Sequence, residues 1–240
     1  MRLKSLVAAS LMLVTTTANA DLFDCSNKAT RKVSAPAAGV TRVVILGHAG
    51  SLRVTGRSGV TDVVATGTAC ASDRGDLNEI QLTSERDGSE LRIEAVIPEK
   101  SSFFGMGQAR LDFEVVLPIG SAVWVDDGSG TAEITDVGSL SVVDGSGALR
   151  IRGVRGDAKV KDGSGSIDIS EVTGNVEIRD GSGSIEIENV GGSVVIDGDG
   201  SGGVSVDNVR GNFEVRRKGS GGVDYERIGG RVSVPDRHRH

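Results

Sequence analysis

Five aspartates at nearly constant spacing are the residues of this chain best placed to act together chemically. Asp127, Asp144, Asp162, Asp180 and Asp199 each open an Asp-Gly-Ser-Gly tetrapeptide, and Lys218 opens a sixth copy as Lys-Gly-Ser-Gly. The steps between copies are 17, 18, 18, 19 and 19 residues. If each copy is one turn of a stack, the carboxylates stand ~4.8 Å apart and repel one another unless something compensates. Calcium is one compensator, since it takes several oxygen ligands and nonapeptide β-rolls hold it between turns. In those rolls the aspartate follows its glycines, whereas here it precedes Gly-Ser-Gly. The local compensator is an Asx-turn, in which the side chain accepts from backbone N–H groups two residues on. Lys218, a cation at the same position, favours the local turn. The expectation is therefore a structural aspartate column, with a calcium column as the alternative.

The neighbouring column is Ser129, Ser146, Ser164, Ser182, Ser201 and Ser220. A serine nucleophile needs a base and an oxyanion site. The histidines are His48, His238 and His240, none of them in the repeats and the last two in the tail Asp236-Arg237-His238-Arg239-His240. The serines read as small corner residues, so no catalytic set, metal site or cofactor is expected. Aromatic residues, which stack on sugars, make up 3% of the chain. Trp124, in Val123-Trp124-Val125, has outward parity and reads as either a contact residue or a cover over the cap, the cover being the expectation. Phe103, Phe104 and Met106 lie in the glycine-bearing stretch Ser101-Ser102-Phe103-Phe104-Gly105-Met106-Gly107. An exposed apolar loop of this kind docks on a partner or folds back over the sheet as a plug, and the plug is the expectation.

Strands must position these columns. After Asp162-Gly163-Ser164-Gly165, the run Ser166-Ile167-Asp168-Ile169-Ser170 alternates apolar and polar residues at period two, the mark of a half-buried strand. The corner Glu171-Val172-Thr173-Gly174 follows, then a second alternating run, Asn175-Val176-Glu177-Ile178-Arg179. Each turn thus offers five inward positions, here Ile167, Ile169, Val172, Val176 and Ile178. Six turns repeat the pattern from Ala132 to Val234. Nearly all the inward residues are β-branched, which suits a pleated surface, and no charge is expected among them. Gly156, Gly174, Gly192, Gly211 and Gly230 are expected to supply positive φ at the corners. Together these features predict an all-β fold: a parallel β-solenoid of ~18-residue turns, each burying its apolar set against its neighbours.

The remaining chain divides by composition. Residues 1–20 read as an export signal, with Arg2 and Lys4, an apolar core from Leu6 to Val14, and small residues at Ala18 and Ala20. No later stretch approaches the ~20 apolar residues of a membrane-spanning helix. Residues 21–120 read as a β-rich cap with irregular early turns, 121–235 as the regular solenoid, and 236–240 as a tail. Within the cap, strands are expected around 43–46, 52–54, 63–65, 80–82, 91–96 and 111–117, with no helix. Removing residues 1–20 takes two of the 27 basic residues and none of the 33 acidic ones, leaving 25 against 33, or −8. Such a balance argues against nucleic acid as a partner. Cys25 and Cys70, an even pair in an exported chain, are expected to form one disulfide.

From Leu117-Pro118-Ile119-Gly120 and Val123-Trp124-Val125 into the Ser-Gly-x-hydrophobic-x-hydrophobic repeats, the chain resembles the bacterial DUF4097 family, described as putative adhesins. That resemblance implies an exported or surface-associated β-repeat protein and supplies no catalytic residues. The function expected is a non-enzymatic scaffold in the periplasm or on the cell surface, meeting a protein or glycan of the envelope. The alternative is a carbohydrate-active or carbohydrate-binding β-helix using the carboxylates from Asp126 to Asp199.

Overall fold

The computed structural model describes residues 25–97 and 109–235. The expected export signal, the Phe103–Phe104–Met106 stretch and the histidine tail lie outside the described residues.

The alternating runs form strands whose equivalent residues pair in parallel register. Strand β8 (Val123–Thr135) pairs along its length with β9 (Leu140–Val154), both bending at Asp-Gly-Ser-Gly so that each serves two faces. Later turns split into separate strands at the same bend. On the first face follow β10 (Ala158–Asp162), β12 (Val176–Asp180), β14 (Val194–Gly198), β16 (Phe213–Val215) and β18 (Val232–Ser233). On the second follow β11 (Gly165–Val172), β13 (Ile185–Val190), β15 (Val204–Val209) and β17 (Val223–Ile228). The structure is the expected parallel β-solenoid of ~18-residue turns. Its core is the inward column, in which Ile167, Ile169, Val172, Val176 and Ile178 are at most 1% exposed.

The corners differ from the expectation. The glycines at 156, 174, 192, 211 and 230 do not have positive φ; Asp136, Glu171, Asn189, Asn208 and Arg227 do, at 50° to 59°, with Gly153 at 73°. Each of these six precedes the inward corner residue, and the left-handed step turns that residue back into the core. Asparagine and aspartate tolerate this region better than most residues. The glycines are there for closeness instead: a Cβ on Gly174 would lie 2.6 Å from the carbonyl oxygen of Gly156.

Beside them runs a ladder of side chains. The Ser193 amide donates to Asn175 Oδ1 at 2.9 Å, Asn212 N to Ser193 Oγ at 2.9 Å, and Arg231 N to Asn212 Oδ1 at 2.8 Å. Asn175 in turn donates its own amide to Asp157 Oδ1 at 2.7 Å.

The amino-terminal part is threaded out of order. Strands β2 (Arg42–Leu46) and β3 (Leu52–Arg57) make a full solenoid turn that pairs with β8. The chain then leaves through β4 (Asp62–Ala71), a six-residue helix α1 (Arg74–Glu79) and β5 (Gln81–Asp87). It returns as β6 (Glu90–Val96) and β7 (Ala109–Pro118), which pair in parallel with the other edges of β2 and β3. The turn made by β6 and β7 is therefore later in sequence but lies on the outer side of the earlier one. Antiparallel strands close that end: β5 on β6, and β4 on β7 with β1 (Asn27–Pro36) outside it.

Cys25 and Cys70 form a disulfide, with Cα atoms 5.5 Å apart, which ties the start of β1 to β4. The helix, absent from the sequence expectation, is capped by Asp73, whose side chain accepts from the Asp76 amide. Strand β1 was also not expected. Its residues are partly exposed throughout, and at an edge the apolar alternation that marks a strand is weak.

At the other end the stack has no such cover among the described residues. Tyr225, an inward position, is 47% exposed because no turn lies over it.

Candidate functional site

Strand alternation does not stop at the aspartates. Val123, Val125 and Asp127 share one parity, as do Val176, Ile178 and Asp180, so the column faces inward. Asp127, Asp144, Asp162, Asp180 and Asp199 are between 2 and 5% exposed, and they are the buried charged side chains among the described residues. The expectation of an uncharged interior thus fails at this column, and the step of two from Val125, Val142, Val160 and Ile178 to the next aspartate was the missed signal. It also removes the carboxylates at 127, 144, 162, 180 and 199 from any exposed ligand-gripping edge; Asp126, of opposite parity, remains exposed.

The register stacks the column directly, with Asp127 opposite Asp144, Asp144 opposite Asp162, and Asp162 opposite Asp180. Asp127 Oδ1 accepts the Gly128 amide at 3.1 Å. Oδ2 of Asp127, Oδ1 of Asp144 and both oxygens of Asp162, Asp180 and Asp199 are buried with no hydrogen-bond partner. The amides of Gly163 and Ser182 partly offset the rise at Asp162 and Asp180. The bond at Asp127 comes from the next residue, not from the one two on, so it is not the Asx-turn expected for every copy. Burial and the neighbouring carboxylates push Asp127 up to about 7 and Asp162 and Asp180 up to about 6, and burial also raises Asp144 and Asp199. The column ends at Gly47, where a Cβ would lie 2.3 Å from Asp127 Oδ1, and at Lys218, whose charge partly offsets the rise at Asp199. Among the described residues no group of histidine, cysteine, aspartate or glutamate has an arrangement able to hold a metal ion.

One extra residue enters the turn that carries Asp197 and Gly198, which is why the repeat lengthens from 18 to 19. The register shifts between Ile178 and Arg179, setting Arg179 opposite Gly198. A bulge re-aims side chains, and here Arg179, Arg216 and Arg217 all reach Asp197, Arg216 at 3.4 Å and Arg217 at 3.3 Å. Hydrogen bonding from Arg179 is the main cause that holds the Asp197 carboxyl below its ordinary range.

Trp124 stands on the outer side of the first face, where β2, β6, β8 and β9 begin. Its register neighbours are Val44 and Ser141. Val44 also has outward parity and yet is 5% exposed, as expected if the indole covers it. Beside Trp124 lies a groove of about 530 Å³ lined by Thr41, Arg42, Ser89, Glu90, Ser139 and Ser141 among others. Arg42 and Glu90 approach only to 3.9 Å and are both largely exposed, and Thr41 Oγ1 lies 3.1 Å from Ser89 Oγ. His48, in a left-handed conformation at φ 66°, is 4.0 Å from Glu94.

No protein-family model and no curated protein matches the sequence, so the DUF4097 resemblance rests on its motifs. Three solved structures illustrate the structural likenesses. A putative cell adhesion protein from Clostridium sporogenes is 12% identical over 87% of this chain and 100% of its own, with a TM-score of 0.42. A putative adhesin from Parabacteroides merdae is 13% identical, covering 88% and 97%, with a TM-score of 0.38. A putative lipid binding protein from Parabacteroides distasonis is 12% identical, covering 88% and 98%, with a TM-score of 0.34. Likenesses this distant carry no argument about what the chain binds. Among the described residues no helix is long and apolar enough to cross a membrane.

Proposed function

We propose that the protein is an exported, non-enzymatic scaffold of the cell envelope that meets a saccharide in the groove beside Trp124. The groove carries this reading. A half-buried indole backed by Val44 offers a flat apolar surface, and the surrounding side chains are a cation, an anion and four hydroxyls. A pyranose ring presents the complementary set: an apolar face to stack on an aromatic ring and hydroxyls to share between donors and acceptors. The aspartate column, the other grouping considered for carbohydrate chemistry, is buried. Exposed polar surface elsewhere on the strands mixes both signs in pairs such as Arg53–Glu133 at 2.9 Å and Lys159–Glu177 at 3.1 Å, which suits a solvated scaffold.

Trp124 is the one tryptophan of the chain, so its fluorescence reports this groove directly. Titration with chitohexaose, cellohexaose and maltohexaose should give a saturable change with at least one of them, and Ser141→Arg, which fills the groove, should abolish it. No change with any of the three at millimolar concentration would remove the saccharide from the proposal. Export is tested separately, by finding the processed chain in the periplasmic or surface fraction.

A further inference from the structure

We propose that the buried aspartate column holds shared protons in mild acid, each retained proton bridging carboxyl groups of adjacent turns, so that the solenoid is more stable in mild acid than in mild alkali. The geometry requires something of this kind. Parallel register fixes equivalent residues of adjacent turns at roughly the 4.8 Å strand spacing. Asp144, Asp162 and Asp180 follow one another in that register, with carboxyl oxygens that have no protein partner. Buried carboxylates at this spacing cannot all ionise, because each adds desolvation and repulsion to its neighbours. Protonating alternate members converts repulsion into O–H···O⁻ hydrogen bonds, which are among the stronger kinds.

The groups around the column do not supply an alternative. On the core side the preceding inward residues are Val125, Val142, Val160, Ile178 and Ile196, all apolar and buried. Asp126 stands beside Asp127 and adds repulsion. On the outer side Lys161, Arg179 and Arg217 border a surface groove that Asp162, Asp180 and Asp199 also line. Arg179 and Arg217 are engaged by Asp197. Lys218 acts on Asp199 at the end of the column. His48, in the turn below, faces Glu94 instead.

The direction of the pH effect follows from linkage. These carboxyls are harder to ionise in the folded chain than in the unfolded one, so the folded state binds more protons between about pH 4 and pH 7. Their contribution is whole below about pH 4 and is lost as the pH climbs through 6 to 7. Exposed carboxylates paired with arginine, such as Glu171 with Arg152, act in the opposite sense, but only as the pH falls into the acid range below their ordinary value. A window from pH 5 to pH 8 therefore separates the column from these exposed carboxylates, and the triple variant below separates it from the histidines.

Thermal unfolding of the whole protein should give a Tm at pH 5 higher than at pH 8 by ~5 °C or more. Infrared spectra of the folded wild-type protein at pH 5.5 to 6 should show the carbonyl stretch of protonated carboxylic acid. The triple substitution Asp144→Asn, Asp162→Asn and Asp180→Asn supplies amide donors in place of the shared protons; it should flatten the pH dependence and weaken that band. A wild-type Tm that is flat or rises between pH 5 and pH 8, absence of the infrared band, or a large gain in Tm on adding millimolar calcium at pH 8 would each overturn the proposal. The infrared measurement needs only the wild-type chain, so a failure of the triple variant to fold leaves the test intact.

Discussion

At the scale of single residues, two kinds of position bear the fold, and both follow from how closely the turns approach. One is the apolar column. Ile169 is fully buried between Ile151 and Ile187 in the register, whereas Asp168 on the same strand faces solvent. Ile169→Asp would bury an unpaired charge and should cost more than ~4 kcal/mol; Asp168→Asn should change stability by less than ~0.5 kcal/mol. Urea unfolding of the two variants checks this, and equal losses would mean that the strand faces are reversed. The other kind is the second glycine of each Asp-Gly-Ser-Gly. Gly183 has φ 144°, and a Cβ there would sit 1.5 Å from the carbonyl oxygen of Gly165. Gly183→Ala must push two turns apart and should cost at least ~3 kcal/mol, a large value for a single methyl group. Circular dichroism melts would show it as an early transition.

Elements are held to one another by features of unequal weight. The side-chain ladder through Asp157, Asn175, Ser193 and Asn212 satisfies amides at a corner where the strands have ended. Asn175→Ala removes the acceptor for the Ser193 amide and should cost about 1 kcal/mol; Asn175→Asp keeps that acceptor and should cost less. Chemical denaturation of the pair separates the hydrogen bond from the loss of packing. The ion pair Arg152–Glu171, at 2.7 Å with both side chains more than half exposed, contributes little by comparison. Arg152→Ala should therefore leave the unfolding midpoint nearly unchanged. The disulfide acts on a different element again. Reducing Cys25–Cys70 should release β1 from β4, seen as faster amide exchange over Asn27–Pro36 with the repeats still protected.

For the whole molecule, the stack behaves as a series of nearest-neighbour contacts. Excising residues 163–180 joins Asp162 directly to Gly181 and removes one complete turn, so that the turns on either side meet in an equivalent register. The shortened chain should still fold as a β-protein with a lower Tm, measured by circular dichroism. An 18-residue excision from the threaded part, such as 62–79, should not be tolerated. It removes β4 and α1, and with them the path by which the chain reaches the outer side of β2 and β3. Amide exchange should also be graded along the axis, fastest at β17 and β18, where Tyr225 and its neighbours have no covering turn among the described residues.

The sequence by itself determined the repeat, because a period of 18 with glycines in register and alternating β-branched residues has one economical solution: each turn buries its apolar set on the next. It also determined the strand faces of that region, from Ala132 to Val215, and the pairing of two cysteines that had no other candidates. Three matters belonged to the tertiary structure. The order of the turns around β2 and β3 was not legible, since parallel strands in a stack carry the same local pattern whichever neighbour comes first in the chain. The edge strand β1 was not legible, since a strand paired on one side needs no apolar alternation. The inward direction of the aspartates was written in the parity of Val125 and Ile178, but a carboxylate is ordinarily too costly to bury, and that expectation outweighed the alternation. The column is inward because the strand alternation runs through the aspartate before the chain bends, and the parallel register repeats that placement from Asp127 to Asp180.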